Sequence, residues 1–561
     1  MGYCLPMSAA AAPAQNRWLF GPIPDLFLGC GLAYAILFTV LSVDGARFRD
    51  AFPIALLPLL SVIGGTPHYG ATLLRVYGDR ESRQKYFFFA VVATAALSLL
   101  FVAGLQSATI GSVLLSVYLT WSPWHYTGQN YGVALMFLGR RGVRIQPLEK
   151  RLVHLSFLLS YVLVVLSVHG VLPGANYAPI QYPGAYRFMT LGLPAAIVTP
   201  TFAVTTLAYA ALVVASLGLL LRRASARDLF PTAMLFLTQA LWFAVPSITR
   251  HYGLLGRVEP LSIEYTAYVF SWVAFGHAVQ YLWVTTYYAQ GRRPAPLQLR
   301  YYGMCLAAGA ALWGVPALIF RGPLEPRLGT ASVFVMVMAV ANLHHFVLDG
   351  AIWKLRDGRV ARILLRAAPS LETSSSPARS WLRPAVAVVG GALAAMTLLT
   401  IVVGELGFRR ALKAGDLPRA QSALSALAFF GRDDAAQHGQ LAQAALTRGQ
   451  LTFAAQQYEV SLSRAPTAAA WLGLAQVAEK SEEWPKVAEA YAEAARLQPD
   501  KATSLYRAGL AWRLAGQPAR AVPVLEAAAA LEPENGLIAS VLASARRDAS
   551  ARAEVDPPGR L

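Results

Sequence analysis

The chain has 561 residues, of which 56% are hydrophobic and only 14% charged, with a formal net charge of +18 at pH 7. Soluble proteins carry about 25% charged residues, so this composition excludes a soluble globular protein over the whole length. The Lys and Arg residues lie in short clusters between apolar runs, as in the cytoplasmic loops of membrane proteins, which argues against a nucleic-acid partner. Three scattered cysteines exclude a disulfide framework.

The predicted fold class is all-α, a polytopic transmembrane helix bundle of about eleven helices followed by a soluble α-solenoid. Residues 1–20 form a predicted cytoplasmic segment, and residues 21–354 a ten-helix membrane domain. Residues 384–404 are predicted to be the last transmembrane helix. A spanning helix needs about 20 apolar residues. The apolar stretches centre near 22–42, 52–74, 87–106, 108–138, 152–172, 199–221, 229–248, 262–289, 302–320, 329–353 and 384–404.

Positive charge alternates between the two sides of this predicted bundle. Each loop after an even-numbered helix holds three to five Lys or Arg residues, and the intervening loops hold about one or two. Because cytoplasmic loops carry the excess of positive charge, the N-terminus is predicted to lie in the cytoplasm. The Ala, Arg and Leu bias is typical of a high-GC bacterium, which indicates the bacterial inner membrane. The polar residues 355–383 are predicted to be a flexible cytoplasmic linker.

Residues 405–550 repeat with a period near 34, and residues 551–561 are predicted to be a disordered tail. Pro466, Pro499 and Pro533 recur 33 and 34 residues apart, each closing a helical pair. Small and large residues recur at fixed positions between them, namely Ala442, Ala445, Ala454, Tyr458, Ala475, Ala478, Tyr491, Ala494, Gly509, Trp512, Ala521 and Leu525. This pattern resembles the tetratricopeptide-repeat (TPR) family over residues 406–548, with about four repeats. The resemblance implies a concave surface for a protein or peptide partner. With a cytoplasmic N-terminus, the odd count of eleven helices predicts that this domain lies in the periplasm.

Histidines recur on the predicted helices that run from the outer to the inner side of the membrane. Ionisable residues inside a membrane are costly and are usually functional. These histidines precede their cytoplasmic basic clusters by about seven to fifteen residues, so at 1.5 Å per residue they lie at similar depth. Imidazole is the commonest ligand for transition metals. The candidate metal ligands are His68, His125, His277, His344 and His345.

Other polar residues accompany these histidines. Gln129, Gln280 and Asp349 each lie one turn after a histidine, where they could orient a ligand or, for Asp349, relay a proton. Arg75 lies one or two turns below His68 and could hold an anionic head group. Asp25 is predicted to join the same polar layer. A lone membrane histidine is more often an inter-helix hydrogen-bond partner, which is the interpretation for His154, His169, His251 and His438.

Single histidines on several helices resemble the bacteriorhodopsin-related carotenoid-cleavage proteins, which hold iron through histidines of different helices. The resemblance implies that His68, His125, His277 and His344 or His345 are iron ligands, and it rests on isolated histidines alone. The HxxxH and HxxHH boxes of membrane desaturases are absent from the sequence. The leading hypothesis is therefore an iron- or other transition-metal-dependent enzyme acting on an apolar or lipid-linked substrate near the cytoplasmic leaflet.

Two further hypotheses use the same features differently. The first is a non-catalytic scaffold, in which the membrane part anchors the TPR domain while the repeats recruit periplasmic partners for envelope assembly. The second is a transporter whose buried histidines relay protons. The sequence shows no convincing inverted repeat, which ranks the transporter lower.

Overall fold

The computed structural model describes residues 17–78, 80–170, 186–290, 298–353, 358–365, 382–429, 433, 435–464, 466–497 and 501–555. These residues are helices and turns, with one isolated bridge between Gly170 and Leu193. The chain forms two compact units, Met1–Leu398 and Leu399–Leu561. Most of the predicted segment 1–20, much of the predicted linker 355–383 and the end of the predicted tail 551–561 lie outside the described residues.

The first unit is built of long apolar helices joined by short turns. Its α-helices are α1 Pro22–Pro24, α2 Leu32–Ala51, α3 Leu57–Leu60, α4 Thr66–Tyr77, α5 Arg80–Lys85, α6 Thr94–Gln106, α7 Ala108–Arg140, α8 Pro147–His169, α9 Ala195–Leu221, α10 Ala226–Gln239, α11 Val245–His251, α12 Thr266–Gln290, α13 Gln298–Ile352, α14 Gly358–Leu365 and α15 Leu382–Ile401. Wider π-helical turns join several of them, at Asp25–Gly29, Ser61–Gly65, Phe88–Ala93 and Ala240–Ala244, and another, Val402–Arg409, follows α15 in the second unit. Two 3₁₀ turns occur at Ile54–Leu56 and Glu259–Leu261.

Several of these helices can cross a membrane. Among the described residues, six helical stretches are long and apolar enough, or seven if the bent pair Pro22–Gly29 and Leu32–Ala51 is one span. The helices that carry His68, His125 and His277 are not among the six. Polar residues in their middle turns lower their mean hydropathy, as in the segment WSPWHYTGQN of α7. The sequence count of eleven therefore stays a prediction.

The long helix α13 folds back on itself. The rings of Trp313 and Phe334 lie 5.8 Å apart, although 21 residues of straight helix would separate them by about 30 Å. Its first half contacts α4 at Cys305, and its second half bonds α4 through Asn342 and His345. The two predicted spans 302–320 and 329–353 thus correspond to the two halves of α13, which run in opposite directions.

Two glycines allow the backbones of α4 and α13 to touch. A Cβ atom at Gly70 would collide with the carbonyl oxygen of Cys305, and one at Gly309 would collide with the carbonyl oxygen of Thr66. Such small residues are what membrane helices use for close approach. Since His68 lies two residues before Gly70, this contact also fixes how far His68 stands from α13.

The predicted linker contains a helix where flexibility was expected. Val360 and Leu364 of α14 are 1% and 4% exposed, and both pack into the main core of the first unit. The guanidinium of Arg140, which is 2% exposed, donates to the carbonyl oxygens of Leu364 and Trp18 at 2.9 and 2.8 Å. Apolar residues at i and i+4 give α14 one buried stripe, a signal that the polar surroundings of this short segment hide.

The second unit consists of helices that pack on their neighbours in sequence. They are α16 Arg410–Ala414, α17 Leu417–Phe429, α18 Ala435–Thr447, α19 Leu451–Arg464, α20 Ala468–Lys480, α21 Trp484–Leu497, α22 Ala502–Leu514, α23 Pro518–Leu531 and α24 Gly536–Val555. Small residues face large ones between paired helices, since Gly473 lies against the ring of Tyr458 and Gly509 against Leu525. The helix begun by α15 continues through its π-turn and α16 to Ala414, past the predicted boundary at residue 404.

One ion-pair cluster stabilises the second unit. The carboxylate of Asp433 contacts His438 Nε2 at 3.0 Å and Arg464 at 2.9 Å. Burial raises the pKa of Asp433, but the hydrogen bond from His438 and the charge of Arg464 outweigh it, so the pKa lies below its ordinary 3.8. The ionised carboxylate therefore stabilises the folded unit. His438, which also bonds Gln457 at 2.8 Å, has the structural role that the sequence predicted.

Candidate metal centre

Four helices bring four histidines to one point inside the first unit. His68 comes from α4, His125 from α7, His277 from α12 and His345 from α13. One ring nitrogen of each lies within 4.8 Å of the corresponding atom of the other three. His68, His277 and His345 are 3%, 1% and 2% exposed, and the side chain of His125 is 8% exposed. These four residues form what is called below the histidine group.

The geometry of the histidine group suits a single metal ion. The Nε2 atoms of His345 and His125 are 3.1 Å apart, and the rings of His68 and His345 have centroids 4.1 Å apart. An ion that binds four imidazoles tetrahedrally at about 2.0–2.1 Å holds their nitrogens about 3.3–3.4 Å from one another. Small movements of the side chains would therefore close the group around one ion.

Three ring nitrogens of the histidine group have no protein partner. They are Nε2 of His68 and both Nδ1 and Nε2 of His277, which are buried and form no hydrogen bond within the described part of the chain. Buried polar atoms in native proteins nearly always have a partner. A neutral imidazole nitrogen carries a lone pair that can bind iron, zinc or copper, so a metal ion is a chemically suitable partner for these atoms.

A chain of hydrogen bonds runs from Nδ1 of His345 to Asp349. This nitrogen lies 2.9 Å from the hydroxyl of Thr72, which lies 2.6 Å from the hydroxyl of Tyr281. Tyr281 in turn donates to Asp349 at 2.6 Å and accepts from Trp353 Nε1 at 3.0 Å. Such partners fix the orientation of metal-ligating histidines. The sequence did not single out Thr72, although it lies one turn after His68 on the same face of α4.

Asp349 lies next to the histidine group, as predicted, but its contact is longer than a hydrogen bond. One carboxylate oxygen is 3.9 Å from His125 Nε2, and the other accepts from Tyr281. Asp349 is 8% exposed. The carboxylate can therefore reach the group directly or through the Tyr281–Thr72 chain.

The two predicted amides support the backbone instead of the ring nitrogens. Gln129 Nε2 donates to the carbonyl oxygen of His277 at 3.1 Å and to Gln280 Oε1 at 2.6 Å. Gln280 Nε2 donates to the carbonyl oxygen of Gly29 at 2.7 Å and to Asn130 Oδ1 at 3.1 Å. This buried amide chain ties α7, α12 and the first π-turn together, and so positions His277 through its backbone.

Arg75 lies at the far end of α4 from the histidine group. Its guanidinium is sandwiched between the rings of Tyr288 and Trp353, at 3.9 and 4.1 Å from their centroids. Nη2 donates to the carbonyl oxygen of Ile352 at 2.9 Å. The buried Nε and Nη1 atoms have no hydrogen-bond partner in the described structure, so they are donors that an anionic group could use.

His344 does not belong to the histidine group. Its Nε2 lies 3.0 Å from the hydroxyl of Thr94 and 3.3 Å from that of Tyr77. Consecutive residues of an α-helix point about 100° apart, so only one of His344 and His345 can face the other three histidines. The structure selects His345 and gives His344 an ordinary inter-helix hydrogen bond.

Asp25 also lies outside the histidine group. Its carboxylate accepts from the backbone amides of Leu19 and Phe20 at 2.6 and 3.1 Å, and from Trp283 Nε1 at 2.9 Å. It therefore fixes the chain that enters α1. His169 has a comparable structural role, because its two ring nitrogens contact Thr120 and the amide of Leu191.

These observations define a helical protein with several candidate membrane spans and a buried four-histidine group that could bind a metal ion. Comparison with protein-family models, with curated proteins and with solved structures finds no match for this chain.

Proposed function

We propose that this protein is a multi-pass membrane enzyme whose histidine group holds iron or another transition metal and acts on an apolar or lipid-linked substrate. The observation that carries the proposal is the convergence of His68, His125, His277 and His345, with three ring nitrogens left without a protein partner. In His169, by contrast, both ring nitrogens have a partner. The histidine group is different because it brings four imidazoles together and leaves three of their nitrogens without one.

The protein's own residues would prepare this centre in three ways. The transition metal, when bound, would polarise a substrate oxygen or supply redox chemistry. The surrounding helices exclude water from it, while Thr72 and the backbone contact of Gln129 hold His345 and His277 in place. Asp349, linked to His345 through Tyr281 and Thr72, is the residue that we assign to hold or move a proton.

The proposed setting is the bacterial inner membrane, with about eleven spanning helices and a cytoplasmic N-terminus. Each of the eleven predicted stretches overlaps a helix. The Lys and Arg clusters of the sequence fall in alternate loops, as expected if they mark one side of the membrane. By this count α12 runs from the outer side at Thr266 to the inner side at Gln290.

We infer that the second unit is a TPR domain that binds a protein or peptide partner in the periplasm. Residues at the expected repeat positions are buried between paired helices, with Ala454, Ala494 and Ala521 each at 0% exposure. The same observation supports the scaffold hypothesis, so deletion of residues 406–561 separates the two. Activity and metal content that persist after the deletion favour the enzyme, whereas full loss of the cellular phenotype with His68 and His125 intact favours the scaffold.

The metal content of the purified full-length chain tests the proposal. We expect about one equivalent of iron or another transition metal per chain, and its loss in His277→Ala because that change removes one of four ligands. His344→Ala is the matched control, since the neighbouring imidazole lies outside the group and should leave the metal bound. No stoichiometric iron, zinc or copper after supplementation during growth would refute the proposal.

A further inference from the structure

A cleft lined by aromatic residues lies beside the histidine group. It is formed by α2, α8, α11, α12 and the π-turn Ala240–Ala244, and among its lining residues are Tyr34, Trp242, Phe243, Phe270 and Val273. Val273 lies one turn before His277 on α12. Arg75 packs against Tyr288, which follows His277 by eleven residues on the same helix, so the cleft and Arg75 lie on opposite sides of the group.

One aromatic ring separates the cleft from the histidine group. Tyr126 stacks on His277, with ring centroids 4.0 Å apart and planes 20° from parallel. On its other sides the same ring lies 6.3 Å from Trp242 and from Phe243, and 6.4 Å from Phe270. A molecule in the cleft would therefore be about one ring away from the proposed metal ligands.

The cleft also contains polar atoms that lack a partner. Trp242 is 4% exposed, and its Nε1–H donor forms no hydrogen bond in the described structure. Nδ1 of His251 also has no hydrogen-bond partner there, and the His251 ring stacks on Phe202 with centroids 3.8 Å apart. Arg250, which also lines the cleft, already donates to the carbonyl oxygens of Leu261 and Ser262. An unpaired indole N–H in an aromatic wall is suited to an apolar ligand that carries one oxygen acceptor.

We propose that this cleft binds the substrate of the metal centre, and that the substrate is a flat, unsaturated apolar molecule with a carbonyl or similar oxygen that accepts from Trp242. Aromatic walls favour flat π-systems, and the indole N–H fixes their orientation. This inference rests on the proposed function. It also moves substrate entry to the outer half of the membrane in the proposed topology, whereas the sequence suggested the cytoplasmic leaflet.

Photochemical labelling with benzophenone tests the cleft, because benzophenone is a flat aromatic ketone that crosslinks to nearby C–H bonds on illumination. We expect saturable labelling of peptides from residues 226–290 in the full-length protein in detergent. Val273→Trp should abolish this labelling because the larger ring fills the cleft. The matched control is Leu207→Trp, on a residue of α9 that is 73% exposed, and it should label like the wild type.

A conservative variant provides a second test that does not depend on whether Val273→Trp folds. Trp242→Phe keeps the aromatic wall and removes the N–H donor, so the affinity for benzophenone should fall about 3- to 10-fold. The affinity for diphenylmethane, which lacks the carbonyl and is measured as a competitor, should stay unchanged. Equal affinity of Trp242→Phe and the wild type for benzophenone would overturn the oxygen-binding role.

Metal content measured on the same samples separates this inference from the proposed function. Diffuse labelling of metal-loaded protein, or labelling of Val273→Trp as strong as that of the wild type, would contradict substrate binding in the cleft. The proposed metal centre would be unaffected by that result. Saturable labelling of protein that binds no metal would overturn the cleft as part of a metal enzyme. Metal retention together with loss of labelling in Val273→Trp supports both.

Discussion

Gly70→Ala should disturb the geometry of the histidine group, although it changes none of the histidines. A Cβ at Gly70 would overlap the carbonyl oxygen of Cys305, and a normal C···O contact needs about 3.3–3.6 Å, so α4 and α13 must separate by about 1–2 Å. A backbone carbonyl cannot rotate away as a side chain can. The expected cost in unfolding free energy is therefore about 3 kcal/mol, the upper end for overpacking.

The same movement should weaken metal binding. A shift of α4 by about 1–2 Å away from Cys305 would displace His68 relative to the other three histidines, whereas metal–ligand distances tolerate about 0.2 Å. We expect metal affinity to fall by at least about 10-fold, comparable to the loss of a supporting partner. Thermal unfolding in detergent micelles, followed by circular dichroism, measures the loss of stability. Competition with a chelator measures the loss of metal affinity.

Gly128→Ala is the matched control, because a Cβ at Gly128 meets no atom within 4 Å. Gly128 lies on α7 only three residues after His125, so both variants change one glycine close to a histidine of the group. Ala also favours helix over Gly, and this variant should be as stable as the wild type or more so. If Gly70→Ala matches Gly128→Ala in stability and in metal affinity, the proposed close packing of α4 on α13 is wrong.

Three further outcomes follow from particular contacts. Thr72→Val should lower metal affinity about 10- to 100-fold in chelator competition by removing the support of His345, and Thr72→Ser should retain it; equal losses in both would contradict the role of the hydroxyl. Because the folded pKa of Asp433 lies below its ordinary 3.8, its stabilisation is full above that value and is lost as the pH falls through the folded pKa. The difference in melting temperature between wild type and Asp433→Asn should therefore shrink on acidification, and a difference that is constant with pH would count against the ion pair. Gly473→Ala should destabilise the second unit by about 1–3 kcal/mol in chemical denaturation, because the ring of Tyr458 occupies the Cβ position; an unchanged midpoint would show that this contact does not form.

The sequence identified which helices carry the candidate site, because histidines at matched depth are visible in a linear pattern. It could not choose between His344 and His345, since that choice depends on the rotation of α13 about its axis. The rotation of its second half is fixed by contacts between helices distant in sequence, such as the hydrogen bond from Tyr69 to Asn342. Thr72 was missed because a hydroxyl on a membrane helix usually bonds its own backbone, and nothing local shows that it faces His345.

Other differences have a similar origin in tertiary contacts. Asp25 looks like a functional carboxylate at a helix end, yet it accepts hydrogen bonds from the nearby amides of Leu19 and Phe20 and from Trp283, which is 258 residues away in the chain. Helix α14 was hidden in a polar segment, because Val360 and Leu364, the buried residues among its described side chains, are too short a pattern to stand out. The aromatic cleft combines residues of four helices, so no local pattern in the sequence indicates it.

X-ray absorption spectroscopy of the purified full-length protein at the K-edge of its bound metal is the most direct test of the central claim. We predict four imidazole nitrogens at about 2.0–2.1 Å, the usual distance for histidine ligation, from His68, His125, His277 and His345. The multiple-scattering features of imidazole should weaken in His345→Ala and remain in His344→Ala. A metal shell of oxygen or sulfur without imidazole features, or the same spectrum in both variants, would contradict the assignment of the histidine group as a metal centre.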